Sequence, residues 1–149
     1  MVRAITLLLL ISPLSFAGDN STTIITKGTN NQITTKQVGN GNITTILCGA
    51  NSSGTITGAS YSAHSCTNAV WSSTVEGNSN IVKMYTVWSN NIGNSSTVTI
   101  DGNDNYAYID QDEDDNTVTI TQTGNDNHAE ALGSGDDNVY STSQTGNNK

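Results

Sequence analysis

Charge is scarce in this 149-residue chain, and basic charge scarcest of all: 5 Lys and Arg against 13 Asp and Glu, a net charge of −8. That balance excludes nucleic acid as a required partner, because phosphate binding needs a basic surface. The single Pro and single Phe both fall within the first 17 residues. The remainder is built from Asn, Thr, Ser and Gly, too polar for a conventional apolar core, and by composition alone would read as disordered. After residue 17 no apolar run is long enough to span a bilayer, so no membrane span is expected. Two Cys and two His (Cys48, Cys66, His64, His128) do not form a metal-ligand spacing. Neither a Ser nor a Cys stands in a pattern with a paired base. His128 and Glu130 share a strand face but lack a third orienting group, so neither an enzyme nor a cofactor is expected.

What is present is organised. Residues 1–17 place Arg3 before an apolar run that ends in Ser15-Phe16-Ala17. This is the form of a secretory signal peptide cleaved after Ala17, and it predicts an exported protein. Beyond it the charge is uneven. Residues 18–100 hold Asp19 and Glu76 against Lys27, Lys36 and Lys83; from Asp101 onward eleven acids face Lys149 alone.

The polar residues recur at a fixed interval. Gly-Asn pairs begin at Gly39, Gly77, Gly102, Gly124 and Gly146, the last three spaced by 22 residues. A period in the twenties marks stacked identical units. Within a unit the alternation has period two: Asn116, Val118, Ile120 and Gln122 on one face, threonines on the other, then a Gly124-Asn125-Asp126 turn, then Asn127, Ala129 and Ala131. This pattern reads as two strands joined by a tight turn. The same frame fits Asn31, Gln37, Gly39 and Asn42, running on to Cys48. It fits Ala69 through Gly77 and Asn80 to Thr86. It fits Asn94, Gly102, Asn105 and Gln111, and finally the half unit Asn138, Gln144 and Gly146. Asn20, Thr22 and Ile24 lie 22 residues before Asn42, Thr44 and Ile46. The expected domain, 18–149, therefore starts with a lone second strand and ends with a lone first strand. The fold class predicted is all-β: a β-solenoid of two parallel sheets and about five rungs, with inward Asn and Gln bonded in ladders along the stack.

The frame of Asn or Ser, then Gln-x-Gly-x-x-Asn-x-Ala-x-x-x-Gln, resembles the curlin repeat, the unit of bacterial curli amyloid fibres. Asn116, Gln122, Gly124, Asn127 and Ala129 carry the likeness best, and it spans nearly all of the chain after residue 17. The departures are Val75 and Ile100 in place of Gln, and the two cysteines. The resemblance implies a homopolymeric fibre, other curli subunits and the outer-membrane curli export pore as partners, a location at the bacterial cell surface, and a role in biofilm and adhesion.

Two features fall outside the frame. The step between units is five residues from 111 to 116 and from 133 to 138, but 21 from Cys48 to Ala69. A Cys48–Cys66 disulfide would pinch off 49–65 as a side loop and restore the path, which an oxidising exported environment permits; pairing between subunits and free thiols are the alternatives. Asp110, Asp112, Glu113, Asp114 and Asp115 cluster between two units, and the period places Asp104, Asp114 and Asp115 against Asp126, Asp136 and Asp137. Stacked like charges suit a gatekeeper against premature assembly, clustered carboxylates suit calcium, and a solvated face needs neither. A rival to the fibre is a monomeric β-solenoid binding module, ice-binding or adhesive, built on the threonine-rich faces.

Overall fold

The computed structural model describes residues 18–49, 65–86 and 90–148. The expected leader and most of the insertion lie outside them. Alternating small apolar, Asn and Thr residues form strands joined by Gly/Asn/Asp turns, and the strands pair only in parallel. One five-stranded sheet takes β1 (Ser21–Thr26), β4 (Ile43–Cys48), β7 (Ile81–Thr86), β10 (Tyr106–Gln111) and β12 (His128–Gly133) in that order. The second takes β3 (Gln32–Val38), β6 (Val70–Glu76), β9 (Ser95–Asp101), β11 (Thr117–Thr123) and β13 (Val139–Thr145). The chain is a parallel β-solenoid, completing four turns between β1 and β12 and half a turn more to β13.

The register follows the sequence period. Thr22 pairs with Thr44 and Val118 with Tyr140 across 22 residues; Thr44 pairs with Val82 across the longer 38-residue step. Because every rung repeats the frame, inner side chains form columns. Ile24, Ile46, Met84, Ile109 and Ala131 stack in the first sheet. Thr35, Ser73, Val98, Ile120 and Thr142 stack in the second. From Ile46 to Ile120 the apolar members of these columns are fully buried, each contributing about 1.5–3 kcal/mol relative to exposure.

The architecture differs from the expected two sheets in one respect. A third, short sheet of β2 (Gly28–Thr29), β5 (Ser65–Thr67) and β8 (Asn90–Ile92) closes one corner. Its residues stay extended long enough to pair because the bend is confined to a single left-handed residue after it. Asn30, Asn68, Gly93, Asp115 and Asp137 hold φ between 54° and 75° in successive rungs, a conformation that Gly, Asn and Asp reach at least cost.

Candidate functional site: the two ends of the solenoid

The opposite turn sets the geometry of both ends. Gly39, Gly77, Gly102, Gly124 and Gly146 all have φ between 106° and 145°. A Cβ on Gly102 would stand 1.8 Å from the Gly124 carbonyl oxygen one rung on. Glycine is required here by positive φ and by the approach of the next rung. That carbonyl is in turn held by an asparagine. Asn42 Nδ2 donates to Gly77 O, Asn80 to Gly102 O and Asn105 to Gly124 O, each at 2.8 Å, and Asn127 to Gly146 O at 2.9 Å.

The same asparagines form a ladder with a direction. The backbone N–H of each donates to the side-chain oxygen of the one before: Asn42 to Asn20, Asn80 to Asn42, Asn105 to Asn80 and Asn127 to Asn105, at 2.9–3.0 Å. Asn42, Asn80, Asn105 and Asn127 are buried. A second inner column runs alike: Ala69 N–H donates to Asn31 Oδ1, Asn116 N–H to Asn94 Oδ1 and Asn138 N–H to Asn116 Oδ1. Ala69 interrupts it once. In the glutamine column Gln122 Nε2 donates to Gln144 Oε1 at 2.9 Å, and Gln144 reaches across to His128 O. Gln37 bonds across to Thr44 and Ser21. Val75 and Ile100 replace glutamine only in the interior of that column. Gln111 belongs to no glutamine ladder: Gly133 stands on it in the next rung, and its oxygen accepts from Ser96 across the core.

Sequence reasoning passed over a further ladder, of opposite polarity, in the Asn that follows each of the turn glycines Gly39, Gly77, Gly102, Gly124 and Gly146. The Asn40 N–H donates to Asn78 Oδ1, Asn78 to Asn103, Asn103 to Asn125 and Asn125 to Asn147, at 2.9–3.0 Å. The recurring Gly-Asn dipeptide is its signal. The acidic corner also has a structural use: Asp114 Oδ1 accepts the Ile92 N–H at 2.8 Å, and Asp136 Oδ1 the Asp114 N–H at 3.1 Å. On the outer face of the first sheet, Tyr108 donates to Asp110 Oδ2 at 3.0 Å. Partial burial, the neighbouring Asp110 and nearby rings push the Tyr108 hydroxyl well above the usual tyrosine range. Burial likewise raises Asp110 above the ordinary carboxylate, with the charge of Asp112 adding to it and the Tyr108 bond opposing it. His128 and Glu130 form an exposed contact of 2.9 Å on that face.

The ends are where these columns stop. β1 and β3 are the outermost strands at one end, β12 and β13 at the other. At the β12–β13 end Val139 is 77% and Leu132 63% exposed. Asn127 Oδ1, the last acceptor of the inner ladder, is buried with no hydrogen-bond partner among the described residues. At the opposite end Asn20 begins the same ladder and Asn31 the second. Both end rungs use the five-residue corner, 26 to 31 and 133 to 138, while the longer steps lie in the interior. In the inner asparagine ladders the β12–β13 end thus presents the side-chain acceptor and the β1–β3 end the donor side, where the Asn20 N–H is turned to Gly18 O; the outer Asn40–Asn147 ladder and the Gln122–Gln144 bond run the opposite way. Cys48 and Cys66 are joined by a disulfide inside the stack, with Cα atoms 5.7 Å apart.

No protein-family model, no curated protein and no solved structure matches this chain.

Proposed function

We propose that this chain is an exported structural subunit that polymerises head to tail into an extracellular curli-type fibre at the bacterial cell surface, serving matrix and adhesion. The observation that carries the reading is the pair of open ends. At each the outermost strands of both five-stranded sheets are unpaired, and each amide column keeps one direction along the stack, so a head-to-tail joint would continue it. Edge strands template pairing, and a heterologous contact that does not close generates filaments. A second copy set on the β12–β13 end would bring its Asn20 against Asn127, Asn31 against Asn138 and Gln37 against Gln144. The resemblance to the curlin repeat supplies the remainder: other curli subunits and the outer-membrane pore as partners, after removal of the leader.

The test removes one end. Deleting residues 138–149 takes away β13 and leaves the secretion signal. Fibre growth followed by thioflavin T and electron microscopy should fall steeply while secreted monomer stays near the wild-type level. Normal elongation by the truncated chain would overturn the reading.

The rival binding module draws on the outer face of the second sheet, where Thr34, Ser72, Thr97, Thr119 and Ser141 put a hydroxyl on every rung of one column. The neighbouring column begins with Lys36. A purified chain that stays monomeric under all fibre-forming conditions would favour that module.

A further inference from the structure

The disulfide occupies a defined place in the ladder. In the first rung, Thr26, Lys27 and Gly28 turn the corner in three consecutive residues. In the second, Thr26 is matched by Cys48 and Gly28 by Cys66. The Lys27 N–H donates to Cys48 O at 2.9 Å, and Lys27 O accepts the Cys66 N–H at 2.8 Å. A single residue of the first rung is therefore bracketed by two cysteines 18 apart in sequence. Seventeen residues, 49–65, stand where the first rung has one, and the S–S bond supplies the short covalent path instead. Both half-cystines are buried, with the first rung directly beneath them.

We infer that the Cys48–Cys66 bond is a redox gate on assembly: it holds the second rung in register, and with it the β1–β3 edge that a neighbouring subunit must meet. This rests on the fibre reading of the ends. Closing the gate removes two protons and two electrons from the thiol pair; a disulfide-class oxidant of the exported compartment accepts them and is itself reduced to thiols. Reduced, the corner between β4 and β5 is joined only by a 17-residue link, whose ends must be brought together against chain entropy. The opposite edge, β12–β13, contains no cysteine and lies three rungs away in the first sheet, so reduction disables one end of the subunit and spares the other. A disulfide closing a loop of this size shifts such an equilibrium by on the order of thirtyfold to several hundredfold.

The experiment uses the full chain without its leader, in oxidised form, reduced with a phosphine, and as Cys48→Ser/Cys66→Ser. A fourth chain replaces 49–65 by one lysine and carries Cys48→Thr and Cys66→Gly, copying the first-rung corner. Elongation on preformed seeds should be at least about tenfold slower for the reduced chain and the serine variant. The fourth chain should grow at the oxidised rate with or without reductant. Equal growth of the oxidised and reduced chains overturns the gate. If no chain forms fibres, the fibre reading fails and the gate is judged on the monomer by amide exchange. Reduction must then deprotect 21–48 and leave 117–145 unchanged; uniform loss, or none, overturns it.

Discussion

Replacing Asn105 by alanine tests whether the inner asparagine ladder holds the stack together. Asn105 is buried, and its amide makes four contacts. Its Nδ2 donates to Gly124 O at 2.8 Å and to Asn80 Oδ1 at 3.1 Å; its Oδ1 accepts the Asn127 N–H at 2.9 Å and Asn127 Nδ2 at 3.0 Å. Asn105→Ala leaves the Gly124 carbonyl and the Asn127 N–H without those partners, in a space that the ladder had filled. Each orphaned buried group costs about 1–3 kcal/mol, so the substitution costs roughly 2–6 kcal/mol of a total of about 5–15 kcal/mol.

The control lies two residues away. Asn103 belongs to the outer ladder: its Oδ1 accepts from the Asn78 N–H and Nδ2 at 3.0 Å, and its Nδ2 donates to Asn125 Oδ1 at 3.0 Å. Asn78 is exposed and Asn103 half-buried, so water replaces what Asn103→Ala removes and the loss stays near 1 kcal/mol. Urea unfolding of dilute monomer, followed by far-ultraviolet circular dichroism, reads the difference. With an m-value of about 2 kcal/mol/M, the midpoint should fall by about 1–3 M for Asn105→Ala and by about 0.5 M for Asn103→Ala. Equal shifts would refute the claim that burial of the amide, rather than the residue type or the turn, carries the stability.

Gly124→Val should abolish the fold, because its Cβ would lie 2.1 Å from the Gly146 carbonyl oxygen at φ +109°, whereas Gly41→Asn, at φ +65° with no atom nearer than 3.9 Å, should cost less than about 1 kcal/mol; circular dichroism and the urea midpoint distinguish them. Asp110→Asn should stabilise the monomer at neutral pH. The folded state raises the Asp110 pKa, so its charged form is penalised there above that value; the penalty fades as pH falls through it, and the advantage of the variant should vanish by about pH 3. A constant difference from pH 7 to pH 3 would refute that origin.

Much of this architecture was legible because a period-two alternation inside a 22-residue repeat admits few solutions. Asn116, Val118, Ile120 and Gln122 could face inward together only on a strand, and the Gly-Asn spacing fixed where each strand turned. The lone outer strands, too, followed from extending the frame to Asn20 and Gln144. The third sheet was not legible: 28–29, 65–67 and 90–92 share no residue pattern, and their pairing is imposed by the rungs on either side. The acidic corner was read for its charge, but the fold uses it for its backbone. Asp115 and Asp137 occupy the left-handed bend that Asn30 and Asn68 occupy elsewhere, and Asp114 and Asp136 accept backbone N–H groups. Sequence alone gives an aspartate no mark that separates these uses from repulsion or cation binding.

The polar ladders also answer a question that the apolar columns leave open. Alternation fixes which face of a strand is buried, since a one-residue slip turns every side chain over. It does nothing against a slip of two residues, which keeps each face in place. In the first sheet such a slip would set Ala131 where Ala129 stood, beside Ala107, at almost no hydrophobic cost. It would also draw Asn127 from Asn105 and leave the buried Asn105 Oδ1 and the Asn127 N–H without their partners, at about 1–3 kcal/mol for each orphaned group. The Gly124 carbonyl would lose its asparagine as well. Register between rungs is therefore held by the amides and the glycine turn, and the same discrimination applies wherever a second chain meets an open end. A joint that sets Asn20 against Asn127 satisfies the buried acceptor; a joint displaced by two residues in either direction buries it unsatisfied. A stack with a purely aliphatic interior would join in several registers, whereas this one has a single register in which all its amide columns continue.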